Sequence, residues 1–297
     1  FIPNAAGEAV AIVGQLVVGG PGVDQGGDAS GALSSIQIQN STVSGGTFVL
    51  SSDASGGAAS GIGGIGGNAT AGDALFVANP STIALVGANT ISAGAFGGNG
   101  DTGGDAVAGF ASIDLLDTEL TVAPDANGVA RISISAVGEA GQGASANGNG
   151  EGGTAQILLN NSTLAADEIE LLASADATAT STGAAGGDAF AGLIEVVIET
   201  ASALSATDFR LIARGLTNAG GSAFGGEALL QVGSDDGGEQ VDIANELSLL
   251  ADASGDASSV VGRFEGALTS GLIEAGLFNG SALGDTIGDF GPSLVSA

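Results

Sequence analysis

GGDAFAGLIEVVIETASALSATDFRLIARG, residues 186–215, contains the features that recur through the rest of the chain. A tight Gly-Gly-Asp-Ala turn opens the stretch. Residues 193–199 (LIEVVIE) then alternate in the period of two that is typical of a β-strand. A second alternating run follows at Phe209, Leu211 and Ala213. The stretch therefore predicts a turn and two strands, and we expect the protein to be a stack of such β units.

Copies of this plan begin at six alanines, each preceded by glycine and one polar residue. They are separated by 45, 32, 49, 34 and 39 residues. Repeats of this length are typical of supersecondary units that stack on one another. Residues 165–175 and 242–253 could be drawn as helices, but they align with strand positions and are predicted to be strands. The six alanines are Ala29, Ala74, Ala106, Ala155, Ala189 and Ala228.

Two kinds of turn recur between the predicted strands. Glycine-rich tracts such as residues 56–67 (GGAASGIGGIGG) are consistent with a flexible linker, or with an ordered ridge of packed glycines. A polar step recurs at residues 40–42 (NST), 80–82 (PST) and 161–163 (NST). If these steps stack, their side chains can form ladders of hydrogen bonds between units.

The composition excludes several kinds of chemistry. The chain has no Cys, His, Met, Trp or Tyr, so disulfides, zinc sites, haem ligation through His or Met, and Cys or His catalysis are absent. The net charge is −29, with 33 acids against four bases. Such a surface repels nucleic acid and anionic membranes and attracts cations. No apolar run is long enough for membrane insertion.

The Gly-Gly-Asp-Ala turns, alternating aliphatic strands and Ser-Thr-Leu steps resemble the repetitive regions of filamentous-haemagglutinin-like bacterial exoproteins and related autotransporter adhesins. The resemblance covers roughly residues 26–262. It implies a right-handed parallel β-helix that is secreted and exposed at the cell surface. The fold prediction is accordingly an all-β, glycine-rich parallel β-solenoid with loose repeats of about 32–49 residues.

A weaker resemblance concerns extracellular filament subunits that assemble by donor-strand exchange. Its basis is the apolar segment AVAIVGQLVV, residues 9–18, which could complete the sheet of another subunit. The other interpretation, which the residues favour, is that it is the first strand of its own domain. The first alternative implies a β-sandwich subunit with an exchanged N-terminal strand. The predicted self-association residues are Ala9, Ile12, Val13, Leu16, Val17 and Val18.

Three regions follow from these patterns: residues 1–25 as an N-terminal strand, cap or donor strand, residues 26–262 as the repetitive β domain, and residues 263–297 as a C-terminal cap or contact segment. The last region lacks the Gly-Gly-Asp-Ala turn, and terminal units of an array are usually atypical.

Carboxylates are the only groups with catalytic potential. The pairs Asp235 with Asp236 and Glu168 with Glu170 could in principle cleave a glycosidic bond. Acids in glycine-rich turns are usually solvated, so we predict no catalytic residue and no required cofactor. Calcium is a more plausible ligand, because flexible turns can supply several oxygens. Its candidate ligands are Asn99, Asp101, Asp105, Asp235, Asp236 and Glu239.

The sequence therefore predicts a non-enzymatic, extracellular or cell-surface structural protein. It would be a subunit or segment of a filament, adhesin or biofilm matrix, and its partners would be copies of itself and surface glycans. The alternatives are a carbohydrate-active β-helix enzyme and a calcium-dependent binding module.

Overall fold

The chain folds as an all-β parallel solenoid of about six coils. The computed structural model describes residues 2–3, 9–180, 184–233, 238–254, 258–260, 263–268, 272–281 and 295–296, with side chains from residue 13 to residue 254. Each coil pairs in parallel with the next, and the only antiparallel pairing in the described residues joins the first two strands. This is the predicted β-solenoid, and the sandwich alternative is wrong.

Three walls enclose the main core. The first and second walls share β4 (Ser34–Ser44), and the 19-residue β7 (Ala74–Ser92) bends through all three walls. The first continues with β11 (Phe110–Leu116), β17 (Thr154–Asn160), β22 (Leu193–Glu199), β26 (Glu227–Val232) and β30 (Arg263–Leu268). The second continues with β12 (Thr118–Ala123), β18 (Thr163–Ala165) and the first halves of β23 (Ala203–Ile212), β27 (Gln240–Leu250) and β31 (Leu272–Ser281). The third contains β2 (Ala9–Val18), β5 (Phe48–Ser55), β13 (Ala130–Ser135), β19 (Glu168–Leu172) and the second halves of β23, β27 and β31.

A thin arm projects from the walls in every coil. Its outgoing side continues from β5 into β8 (Ala95–Phe96), β14 (Gly138–Glu139), β20 (Ala175–Asp176), β24 (Gly215–Leu216) and β28 (Ala253–Ser254). Its returning side consists of β3 (Ala29–Ser30), β6 (Ala69–Thr70), β10 (Ala106–Val107), β16 (Gly150–Glu151), β21 (Ala189–Phe190), β25 (Ser222–Phe224) and β29 (Ser258–Val260). The arm's tip carries β9 (Gly100–Thr102) and β15 (Gly143–Ala146), while β1 (Ile2–Pro3) and β32 (Val295–Ser296) lie at the two ends of the stack.

The strand register makes the repeat more regular than the sequence suggested. One column of paired residues has spacings of 40, 37, 44, 39, 34 and 36, against the predicted 32 to 49. The six alanines of the sequence pattern mark two different columns. Ala29, Ala106 and Ala189 lie on the arm, whereas Ala74, Ala155 and Ala228 lie five residues further on, in the first wall. The first-wall column is Ser34, Ala74, Ala111, Ala155, Ile194, Ala228 and Phe264.

Side-chain size decreases steadily from the walls to the tip of the arm. The walls enclose large aliphatic residues such as Ile113, Leu120 and Ile132, which are at most 1 % exposed. The two buried clusters of the arm consist of alanines alone. The distance between two facing backbones is set by the side chains packed between them. Each coil therefore narrows from the walls to the tip of the arm.

Beyond the alanines, the two sides of the arm meet backbone to backbone. We call this region the glycine neck: residues 19–20, 26–27, 56–57, 66–67, 97–98, 103–104, 141 and 148. Its peptide groups form seven successive N–H···O=C bonds of 2.8–3.2 Å that pass from side to side and from coil to coil. In order, these bonds join Gly20, Gly27, Gly57, Gly67, Gly98, Gly104, Gly141 and Gly148. The glycine tracts are therefore the ordered ridge, and the flexible-linker alternative is wrong for residues 56–67.

In later coils, polar side chains replace glycine at the neck. The Asn147 amide donates to the carbonyl of Ala177, and the Thr217 hydroxyl donates to the carbonyl of Gly187 at 2.6 Å. Both side chains are at least 93 % buried. Side chains thus continue the hydrogen bonding across the arm in these coils and satisfy buried backbone carbonyls.

Gly104→Ala should destabilise the protein by about 3 kcal/mol, because its Cβ would overlap the carbonyl group of Gly67 and backbone cannot move aside as a side chain can. Gly20→Ala is the matched control, since its Cβ would meet nothing within 4 Å. We expect the control to change stability by less than about 0.5 kcal/mol. Urea unfolding followed by circular dichroism measures both, and equal midpoints would contradict the close-approach argument.

Candidate functional site

The first coil presents an open β edge. Within the described residues, β4 pairs only with β7, and the Ala11–Val18 part of β2 pairs only with β5. The short β1 covers just Ala9 and Val10. The backbone donors and acceptors on the outer side of this coil therefore face away from the stack, as at any sheet edge.

The core is also incompletely covered at this end. Ile36, Ile38 and Val43 are only partly buried, although their partners one coil on, Phe76, Ala78 and Ile83, are at most 2 % exposed. The same contrast separates Val13, which is 37 % exposed, from its partner Leu50, which is fully buried. These side chains occupy core columns that lack a preceding coil. The sequence pattern alone did not show that Ile36, Ile38 and Val43 are partly exposed, because they alternate in the same way as the strand residues of every other coil.

The predicted self-association residues lie on this first coil. Leu16 and Val18 are each 62 % exposed, and Val17 is partly buried against the alanines of the arm. Ala9 and Ile12 belong to the same strand, but their side chains lie outside the described residues. In this structure β2 pairs in parallel with β5 of the same chain. Strand exchange between copies stays a prediction.

A hydroxyl ladder runs along the corner between the first and second walls. The backbone N–H of each member donates to the side-chain hydroxyl one coil further on, at 3.0–3.2 Å. In three coils the hydroxyl itself donates to a carbonyl two residues back. The polar steps thus form the predicted ladder, which also includes Thr118 and Ser202. Its members are Ser41, Ser81, Thr118, Ser162 and Ser202.

The Gly-Gly-Asp-Ala turns form a second ladder, on the returning side of the arm. Each side-chain oxygen accepts the backbone N–H of the residue one coil on, at 2.7–2.9 Å. Asp and Asn alternate along it, so no two carboxylates are on adjacent coils. Asp105, a predicted calcium ligand, is one of its members. In order they are Asp28, Asn68, Asp105, Asn149, Asp188 and Ser222.

The other predicted calcium ligands have separate roles. Asn99 accepts the N–H of Gln142, and Asp101 accepts the N–H of Gly63, both at 2.8 Å. Glu239 is 1 % exposed. Asp235 and Asp236 lie outside the described residues. Among the residues that the structure describes, no three His, Cys, Asp or Glu side chains form a group that could hold a metal ion. Calcium binding stays a prediction.

The candidate acid pair Glu168 and Glu170 lies on β19, where Glu168 is engaged by arginines. Glu168 contacts Arg131 at 2.6 Å and Arg210 at 3.0 Å, which ties three successive coils together. Arg214 bonds Asp252 at 2.7 Å in the same way. Three of the four arginines thus join neighbouring coils, and Glu168 is already committed to structural ion pairs.

A shallow groove of about 460 Å³ lies where the arm meets the first wall. Phe190 lines it, is 40 % exposed, and stacks on Phe224 with ring centroids 4.6 Å apart. Asp73 and Glu151 line the groove too. Sequence patterns did not predict this aromatic pair, although both rings follow the same Gly-Gly-x-Ala motif. An exposed ring beside carboxylates is a surface on which a sugar could stack.

The carboxyl of Glu139 has a clearly raised pKa. Partial removal from water is the main cause, and the neighbouring carboxylate of Asp176, its partner on the next coil, adds to it. The ionised form of Glu139 therefore costs folding free energy at neutral pH.

Asn149→Asp should destabilise the protein by about 1 kcal/mol at low salt, because it places three carboxylates on adjacent coils while keeping the ladder acceptor. Asn79→Asp is the matched control, since its register partner on one side is the uncharged Gln39. Thermal unfolding at two salt concentrations measures both. Equal melting temperatures for the two variants would show that the Asp–Asn alternation does not matter.

Glu139→Gln should raise the melting temperature at pH 7, because it removes the ionised form that folding disfavours. The gain should shrink as the pH falls through the raised pKa of Glu139, where the wild-type carboxyl becomes neutral too. Glu119→Gln removes one charge at an exposed position of the second wall and serves as the control. A gain independent of pH would be at odds with this explanation.

Within the residues that the structure describes, no helix is long and apolar enough to span a bilayer. No protein-family model, curated protein or solved structure matches the chain. The resemblance to repetitive surface exoproteins is therefore supported at the level of the β-solenoid fold alone.

Proposed function

We propose that this chain is a non-enzymatic structural protein of the cell exterior, a subunit or segment of a surface filament, adhesin or matrix that associates with copies of itself through β-strands. The observation that carries the proposal is the open edge of the first coil. An 11-residue edge strand, β4, lies beside core side chains that lack their cover. Edges of this kind pair with further strands unless they are blocked.

The rest of the surface supports a structural role. The described ladders use polar side chains to join one coil to the next, and the arginines do the same through ion pairs. The groove at Phe190 is open and shallow, unlike the enclosed pockets typical of small-molecule sites. In an adhesin, this groove is the place we assign to surface glycans.

Blocking one edge donor tests the proposal. The N–H of Ser34 points toward β7 and donates to the carbonyl of Asp73. Successive backbone N–H groups of a strand point to opposite sides, so the N–H of Gln37, three residues further on, points toward the open edge. Gln37→Pro should therefore remove an edge donor, and place a ring there, without breaking a bond between β4 and β7. We expect at least a tenfold loss of assembly for Gln37→Pro, measured by sedimentation and electron microscopy near 0.15 M salt.

Gln37→Ala is the matched control, because it shortens the same side chain but keeps the N–H. It should assemble like the wild type, and both variants should keep the circular dichroism of the wild-type protein. A wild-type protein that is folded and monomeric at every concentration and salt tested would refute the proposed function.

A further inference from the structure

We propose that the partner at the open edge is the last coil of a second copy, so that copies add head to tail along the solenoid axis. The inference rests on the proposed function and specifies its polarity. It excludes the other simple arrangement, in which two first coils meet face to face.

The strands at the two ends of the stack have matching layouts. β30 and β31 pair in parallel with β26 and β27, and so occupy the same register columns as β4 in the first coil. Within the described residues, β30 has only β26 as a partner, and β31 is further covered only where β32 pairs with Ile273 and Glu274. Translating a second copy by one coil would therefore place β4 beside β30 in the parallel register that every internal step already uses.

The hydroxyl ladder gives this step a direction. In each internal step, the N–H of the earlier coil donates to the hydroxyl of the later coil. At the head of the ladder, the Ser41 hydroxyl donates to the carbonyl of Gln39 and, in the described residues, accepts from no coil. A preceding coil that runs in the same direction supplies an N–H there. Two first coils facing each other would instead bring two acceptors together.

The core columns favour the same arrangement. Val13, Ile36 and Ile38 need the cover that a further coil gives their partners inside the stack. The column of Val43 does not contribute, because in the last coil it ends at Ile273, which β32 already covers. Head-to-tail stacking in parallel continues the other three columns into the next copy. A head-to-head contact about a two-fold axis would make the strands antiparallel, so residues of the same column would no longer face each other. A translation of this kind is a heterologous contact that does not close, so it produces linear fibres.

Cysteine pairing tests the polarity, because the natural chain has no cysteine. Ala267 shares a register column with Gln231, and Gln37 lies in the same column of the first coil. Head-to-tail stacking would place Gln37 of one copy about 4.8 Å from Ala267 of the next. That separation lies within the range of Cα distances that a disulfide spans.

Separate Gln37→Cys and Ala267→Cys proteins would be reduced, mixed at low salt, and oxidised after the salt is raised. We expect the mixed disulfide to exceed the Gln37→Cys homodimer at least tenfold on a non-reducing gel, with the linkage identified by mass spectrometry. Ala126→Cys, in the exposed loop between β12 and β13, is the control and should not pair preferentially with Ala267→Cys.

The outcomes separate this inference from the proposed function. Assembly by sedimentation with a dominant Gln37→Cys homodimer would show a head-to-head contact, which overturns the polarity and leaves the proposed function intact. Assembly with equal linkage to Gln37→Cys and Ala126→Cys would also overturn it. Absence of assembly for all proteins, including the wild type, would overturn both.

Discussion

The hydrogen bonds between facing backbones at the glycine neck set the shape of the coil. Where Gly57 and Gly67 bond directly, nothing larger than hydrogen fits between the two sides of the arm. The alanines of the arm and the aliphatic residues of the walls follow from that closest approach. Because the separation widens gradually, each step along the coil accepts one size class of side chain. The high glycine content, unusual for a folded domain, is a direct result of this geometry.

The sequence predicted the all-β fold, the stacking and the hydroxyl ladder, because period-two strands and repeated turns are local signals. It could not predict the true repeat, since Ala29 and Ala74 follow nearly identical motifs but lie in different columns. Only strand pairing distinguishes two such columns. The partial exposure of the core residues on β4 was not predicted, for a similar reason. Ile36 and Phe76 look equivalent in sequence, and their different burial depends on which coil lies next to each of them.

Charge and stacking conflict in this protein, and the ladders show how the conflict is reduced. A parallel solenoid places successive residues of one column about 4.8 Å apart, so the members of a column of carboxylates would repel one another strongly. Along the arm, Asn68 and Asn149 separate the aspartates, and on the third wall Arg131 and Arg210 flank Glu168. The separation is incomplete, because Glu168, Asp208 and Glu246 occupy one column on three successive coils. Glu139 and Asp176 likewise face each other across one step.

The same charge would set the salt dependence of the proposed self-association. If the molecules were neutral, a sheet edge with partly exposed core residues would promote nonspecific aggregation of the protein. Repulsion between two strongly acidic rods opposes contact at low ionic strength, and screening beyond about 10 Å at 0.1 M salt removes most of it. In the proposed head-to-tail contact, short-range backbone hydrogen bonds and apolar contacts of the columns would then hold the two ends together. In the proposed assembly, the open first coil therefore specifies where copies associate, and the acidic surface makes that association depend on salt.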